Sequence, residues 1–277
     1  MQRASFFCAL VLLVLIFFIP VAQTKDPPTL FRSVAAQGRG GRVSPFVING
    51  TRPANTADWV STLTTTSGED CTATIVGPRT ILTAAHCLRG TKLMKFSVNS
   101  KSYTANCAAA DKYTIGNNAD ADYALCLVTI AVQGVPYQTL STDPDELRSA
   151  TRLTLAGYGC ISDPNRLYDG FNTGPADIEK WPGDFLLTPN AVVVRGGAAV
   201  CLGDSGGGAY ILRPGASPVL VAINAKMNSE LTDGPLSSTL RSVSTPDAKA
   251  FFKSWLGLST NRGAAICGYS PNVTGCK

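Results

Sequence analysis

Few side chains in this sequence can activate a nucleophile, and two of them stand in unusual company. Ser205 lies inside Cys201-Leu202-Gly203-Asp204-Ser205-Gly206-Gly207-Gly208. Glycines crowded around one serine let the backbone turn sharply and approach a ligand closely, because side chains there would obstruct both. The amides of Gly203 and Ser205 can then converge on a developing oxyanion. His86, the one histidine of the chain, stands in Thr83-Ala84-Ala85-His86-Cys87, directly after the apolar pair Ile81-Leu82. A serine hydroxyl is a poor nucleophile until an adjacent base takes its proton, so any imidazole base here must be His86. Asp122 opens the run Asp122-Tyr123-Ala124-Leu125-Cys126-Leu127-Val128. A carboxylate at the mouth of that apolar strand can fix the imidazole tautomer and stabilise the imidazolium. Asp120, two residues away with the same strand parity, is the alternative acid.

The same inventory excludes other chemistry. One histidine rules out sites built from several imidazoles, and the sequence has neither H-E-x-x-H nor C-x-x-C, so zinc and haem readings fall away. No metal or other cofactor is implied. The formal charge of +5 is concentrated before Val47, a segment with five basic residues and one acidic residue, and the remainder is close to neutral. Without a clustered run of Lys or Arg there is no footprint for nucleic acid.

These residues need a framework, and 277 residues with 45% hydrophobic and 16% charged content can bury a sizeable core. The chain opens Met1-Gln2-Arg3 and runs apolar from Phe6 to Ile19, the length of a signal-peptide core rather than a membrane span. Residues 1–23 are read as a secretory signal and 24–46 as a flexible Pro-, Gly- and Arg-containing pro-segment, with no membrane association after signal cleavage. Cys8 leaves with the signal, and an even set of eight cysteines in an exported chain points to disulfides in an oxidising compartment. Asn49-Gly50-Thr51 and Asn272-Val273-Thr274 are glycosylation sequons. From Val47 onward, short apolar runs alternate with turn residues: Trp59 to Leu63, Thr72 to Val76, Thr80 to Ala84, Tyr123 to Ile130, Thr151 to Ala156, Ala191 to Val194, Ala209 to Leu212 and Pro218 to Asn224. That spacing predicts an all-β sandwich or barrel. Ala248, Phe251, Phe252, Trp255 and Leu256 follow helical spacing, with Ser244 or Thr245 as cap and Gly257 as stop.

Val47-Ile48-Asn49-Gly50, Thr83-Ala84-Ala85-His86-Cys87, Asp122-Tyr123-Ala124-Leu125, Gly157-Tyr158-Gly159 and Gly203-Asp204-Ser205-Gly206-Gly207 closely resemble the chymotrypsin/trypsin family of serine endopeptidases. The order His, Asp, Ser is also that family's order. From Val47 the resemblance covers residues 47–277. It implies two packed six-stranded antiparallel Greek-key barrels with a C-terminal helix. It further implies Ser205 as nucleophile, His86 as general base and then acid, Asp122 as the residue orienting His86, and the Gly203 and Ser205 amides as oxyanion hole. Asp204 would pair with the amine created when the pro-segment is cut. The motif places that new terminus at Val47, after Phe46, although family activation usually follows a basic residue and Arg42-Val43 lies four residues earlier. Cleavage after Phe46, or cleavage after Arg42 followed by trimming, both fit.

The resemblance places the specificity pocket at Ala199 and Val200, with a second wall at Ala225, Lys226 and Met227. Ala199 supplies no carboxylate where trypsin-like preference for Lys or Arg needs one, so a small or apolar side chain is the expected preference. The resemblance implies Cys71–Cys87 and, because the loop after Gly157-Tyr158-Gly159 lies beside the nucleophile loop in that fold, Cys160–Cys201; Cys107–Cys126 and Cys267–Cys276 are the sequence-local remainders. The implied partners are protein or peptide substrates and protein inhibitors, acting on a secreted monomer. A catalytically silent relative used for recognition is the rival reading. An α/β-hydrolase esterase is excluded, because its histidine follows the serine and none follows Ser205.

Overall fold

The computed structural model describes residues 47–66, 70–160, 170–228 and 236–277. The signal and pro-segment readings, including Phe46 and the Arg42-Val43 bond, fall outside them. Two closed six-stranded antiparallel barrels make up the described chain. The first consists of β1 (Thr62–Thr66), β2 (Asp70–Gly77), β3 (Thr80–Thr83), β4 (Leu93–Val98), β5 (Lys101–Ala109) and β6 (Ala124–Val128), in the order β1-β2-β3-β6-β5-β4. The second consists of β7 (Arg152–Gly157), β8 (Asn172–Lys180), β9 (Ala191–Gly197), β10 (Gly208–Ile211), β11 (Val219–Asn228) and β12 (Ser237–Ser242), in the order β10-β11-β12-β9-β8-β7. Closing each sheet on itself leaves no long unpaired edge, which is how such sheets avoid pairing with other chains.

Each barrel is filled by the inward half of its strands. In β4 the exposed and buried residues alternate strictly, Met94, Phe96 and Val98 pointing in, the period a half-buried strand requires. The second barrel's core includes Leu155, Val192, Val194, Val221 and Leu240, together with Val47, which is 1% exposed. A third apolar cluster joins the barrels: Trp59, Leu82, Tyr123, Tyr210 and Ile223 meet Phe252 and Trp255 of the C-terminal helix. Trp59 and Tyr210 touch edge to face, centroids 5.0 Å apart.

That helix spans Pro246–Gly257. Thr245 is its cap, accepting the Ala248 amide at 3.4 Å, and Pro246 occupies the first turn, where a missing N–H costs nothing. Ala248, Phe252 and Trp255 are buried, while Phe251 and Leu256 are half-buried. The strand reading shifts at two ends. Trp59 sits in a 3₁₀ turn, Ala57–Trp59, and the strand begins only at Thr62. Tyr123 and Ile130 flank β6 rather than extend it.

Candidate functional site

His86 lies on a 3₁₀ turn, Ala85–Leu88, which begins where β3 ends. The turn is pinned from behind by the Cys71–Cys87 disulfide to β2. Asp122 follows a second 3₁₀ turn, Ala119–Ala121, just before β6. β3 and β6 are neighbours, with Thr83 opposite Ala124, so the His and Asp turns emerge side by side. Asp122 holds His86 twice: Oδ2 lies 2.6 Å from Nδ1, and Oδ1 accepts the His86 backbone amide at 2.9 Å. The Asp122 side chain is 8% exposed and the His86 side chain 29%. A carboxylate this buried, satisfied by the ring and the backbone of one residue, fixes the imidazole with Nδ1 protonated and Nε2 free to accept.

Ser205 comes to the same place on a turn built by its neighbours. Gly203 and Gly206 have φ of 93° and 79°, backbone that glycine adopts without penalty. A side chain at Gly206 would collide with Thr83 and the Thr72 carbonyl oxygen. Thr72 of β2 fastens this turn to the first barrel. Its amide donates to the Ser205 carbonyl at 2.9 Å, its hydroxyl donates to the Gly203 carbonyl at 2.7 Å, and the same oxygen accepts the Tyr158 amide at 3.0 Å. The Ser205 carbonyl oxygen also lies 3.6 Å from Sγ of Cys87, the residue after His86. On the second barrel, the Gly206 amide donates to Asn224 and the Asn224 amide to Gly207. Among the described residues no hydrogen bond joins the Ser205 hydroxyl to His86, and the amides of Gly203 and Ser205 have no protein acceptor. Donors without a protein acceptor are what stabilisation of an oxyanion needs.

Asp204 is fully buried. Its oxygens accept the Gly159 and Cys201 amides, both at 2.8 Å, and it fills the space a side chain at Gly157 or Gly159 would need. Burial, opposed by those two hydrogen bonds, pushes its carboxyl up to about 7. No cation faces it among the described residues. Val47 is buried in the second barrel's core, where the Ala199 amide donates to the Ile48 carbonyl and Gly50 turns back onto Val47.

Asp120 is engaged elsewhere. Its carboxylate takes Nη1 of Arg241 at 2.8 Å and the Asn190 amide at 2.8 Å, with a side chain only 1% exposed. Strand parity fails as a guide here because residues 119–121 form a 3₁₀ turn, so Asp120 and Asp122 face different partners.

Ala199 and Val200 are buried, the Val200 amide donating to the Ser238 hydroxyl of β12. Ala225 lies at a bulge between β11 and β12, Met227 is half-buried and Lys226 is exposed. Beside His86, a cleft of about 420 Å³ is lined by Leu88, Thr91, Cys107 and Tyr113. Burial, and after it the charge of Asp122, push the Tyr113 phenol up. Disulfides join Cys71–Cys87, Cys107–Cys126, Cys160–Cys201 and Cys267–Cys276. Cys71 and Cys87 approach His86 closely, but sulfurs bonded to each other offer no thiolate to a metal. Thr72 and Arg241 carry the site's support and were not singled out from the sequence. Thr72 is adjacent to Cys71 in an ordinary Thr-rich strand, and nothing in such a strand separates a structural hydroxyl from a surface one.

Comparison with protein-family models matches residues 47–230 to the trypsin family. The matched segment is more than half of the chain and contains His86, Asp122 and Ser205. With the double barrel around it, the chain belongs to the trypsin family of serine proteases.

Proposed function

We propose that the protein is a secreted serine endopeptidase, made as a zymogen, that hydrolyses peptide bonds through an acyl-enzyme on Ser205. One observation carries the reading most: the 2.6 Å bond from Asp122 to His86 Nδ1, which leaves Nε2 as the ring nitrogen available to act as a base. In this reading His86 takes the Ser205 proton as the hydroxyl attacks the scissile carbonyl, and then returns it to the leaving amine. The Gly203 and Ser205 amides hold the oxygen as it becomes negative.

The zymogen reading is supported by Asp204. A fully buried carboxylate with two amide donors still lacks a counter-charge, and an unpaired buried charge is strongly disfavoured. An amine freed at Val47, the residue already buried in the same barrel, would supply it. Ala199 and Val200 in the expected pocket support a preference for small or apolar side chains at the cleavage point. The four disulfides fit an oxidising, extracellular setting.

The test is hydrolysis of a mixed peptide library by protein beginning at Val47, beside its Ser205→Ala variant and the uncleaved precursor. Hydrolysis by the first alone, with products sharing a small or apolar residue before the cut, is the expected result. No hydrolysis by any of the three leaves the silent-relative reading.

A further inference from the structure

On the outer face of the second barrel, alternate residues of adjacent strands stand on one side. The cross-strand pairs Arg195 and Ser237, Val193 and Thr239, and Lys226 and Thr239 form the floor of a groove of about 520 Å³, with Phe185 and Thr188 on its rim. Its charge is one-sided. Among the described residues, Lys180, Arg195, Lys226 and Arg241 line it against the carboxylate of Glu179. Glu179 is taken by Arg195 at 2.9 Å, and Arg241 is taken from the inner side by Asp120. Lys180 and Lys226 remain. The Lys180 ammonium stands 4.5 Å over the Phe185 ring, which steadies a cation without neutralising it. Lys226 is exposed. Arg241 leaves its buried Nε without a partner among the described residues.

The groove is coupled to the serine turn by one strand. Asn224 of β11 exchanges backbone hydrogen bonds with Gly206 and Gly207, and Lys226 follows two residues later, roughly 7 Å along a strand. β10 pairs with β11 only from Val219 to Ile223, so the same edge from Ala225 to Asn228 is open, among the described residues, to an extended peptide.

Resting on the endopeptidase reading above, we propose that this groove is an acidic-residue subsite: it takes an Asp or Glu side chain of the substrate lying about two to four residues from the scissile bond. The carboxylate is held between Lys180 and Lys226. Selection for acid then rests on the two lysines, Lys226 among them on the second wall expected for the specificity pocket, while Ala199 and Val200 select the small or apolar side chain at the cleavage point.

The test uses protein beginning at Val47 and two octapeptide pools that differ only in carrying Glu or Gln at the varied positions. Fluorescently labelled pools are titrated onto the Ser205→Ala variant, and unlabelled pools are cleaved by the Ser205 protein and sequenced. The Glu pool binds about five- to tenfold tighter at low salt. That ratio falls toward one in Lys180→Gln and Lys226→Gln, and also at high salt. Cleaved products are enriched in Glu at one fixed distance from the cut. Equal binding of the two pools, or cleavage without acidic enrichment, overturns the subsite and leaves the endopeptidase reading intact. A Glu preference in binding without any hydrolysis overturns the endopeptidase reading and leaves the groove as an acidic-peptide site. Lysine-dependent binding of dextran sulfate with no Glu preference overturns the subsite in favour of a polyanion surface.

Discussion

Arg241 of the second barrel donates to Asp120 of the first at 2.8 Å, and to the Ala119 carbonyl at 3.0 Å, so one guanidinium holds the turn that leads into Asp122. The next residue along β12 adds a third tie, its carbonyl accepting the Tyr123 hydroxyl at 2.8 Å. The acid that holds His86 is thus clasped on both sides by a strand of the opposite barrel. Arg241→Ala leaves Asp120 buried and unpaired, a change that costs about 3–5 kcal/mol. Chemical denaturation should show that loss, with kcat falling more than KM rises. Arg241→Lys, which cannot reach both acceptors with one planar fork, should recover only part of each. An unchanged denaturation midpoint in Arg241→Ala would show that the clasp carries no energy.

Thr72 serves the other half of the site. Thr72→Val keeps a β-branched residue in β2 but orphans the Gly203 carbonyl and the Tyr158 amide that its hydroxyl joins. Leaving buried polar groups unmade costs about 1–3 kcal/mol each, and here the cost lands on the turn that carries the oxyanion amides. Peptidase kcat should drop about tenfold or more, with far-ultraviolet circular dichroism unchanged. Wild-type kcat in that variant would mean the turn is held without Thr72.

Asp204 predicts a pH dependence that is lost on processing. In the uncleaved precursor its carboxyl sits near 7 against an ordinary 3.8, so the folded state retains a proton that the unfolded chain has lost. Stability therefore falls as pH rises from about 4 to about 7, by an amount on the order of 4 kcal/mol. Asp204→Asn should flatten that slope. In protein beginning at Val47, an amine partner holds the carboxyl in its charged form and the falling slope disappears. The check is urea unfolding of all three proteins across that range, and identical slopes for precursor and processed protein would remove the Asp204 switch.

How much of this could be read from the sequence depended on what each residue's neighbours had to do. The double barrel followed from the resemblance and from apolar runs such as Thr80 to Ala84, close to β3 as found. β4, β5, β8 and β12 carried little signal of that kind. β8 contains Gly174 and Pro175, and β12 reads Ser-Ser-Thr-Leu-Arg-Ser, so their burial comes from packing in a closed barrel rather than from composition. In β4 the alternation of Met94, Phe96 and Val98 was present but broken up by Lys95 and Ser97 on the outer face. The chemistry-bearing residues were legible because glycine, histidine and cysteine have few alternative uses in such clusters. Their supports were not: Thr72 and Arg241 act through partners 131 and 121 residues away, and local pattern carries no trace of so distant a partner.

If His86 strips the proton from Ser205, the rate at which a fluorophosphonate probe labels the serine depends on the imidazole. Protein beginning at Val47 should take up one probe per chain on Ser205, found by peptide mapping. His86→Ala should slow that labelling by about a thousandfold or more. Labelling of Ser205 at the same rate in His86→Ala, or attachment of the probe to another residue, would mean that His86 is not the base for Ser205.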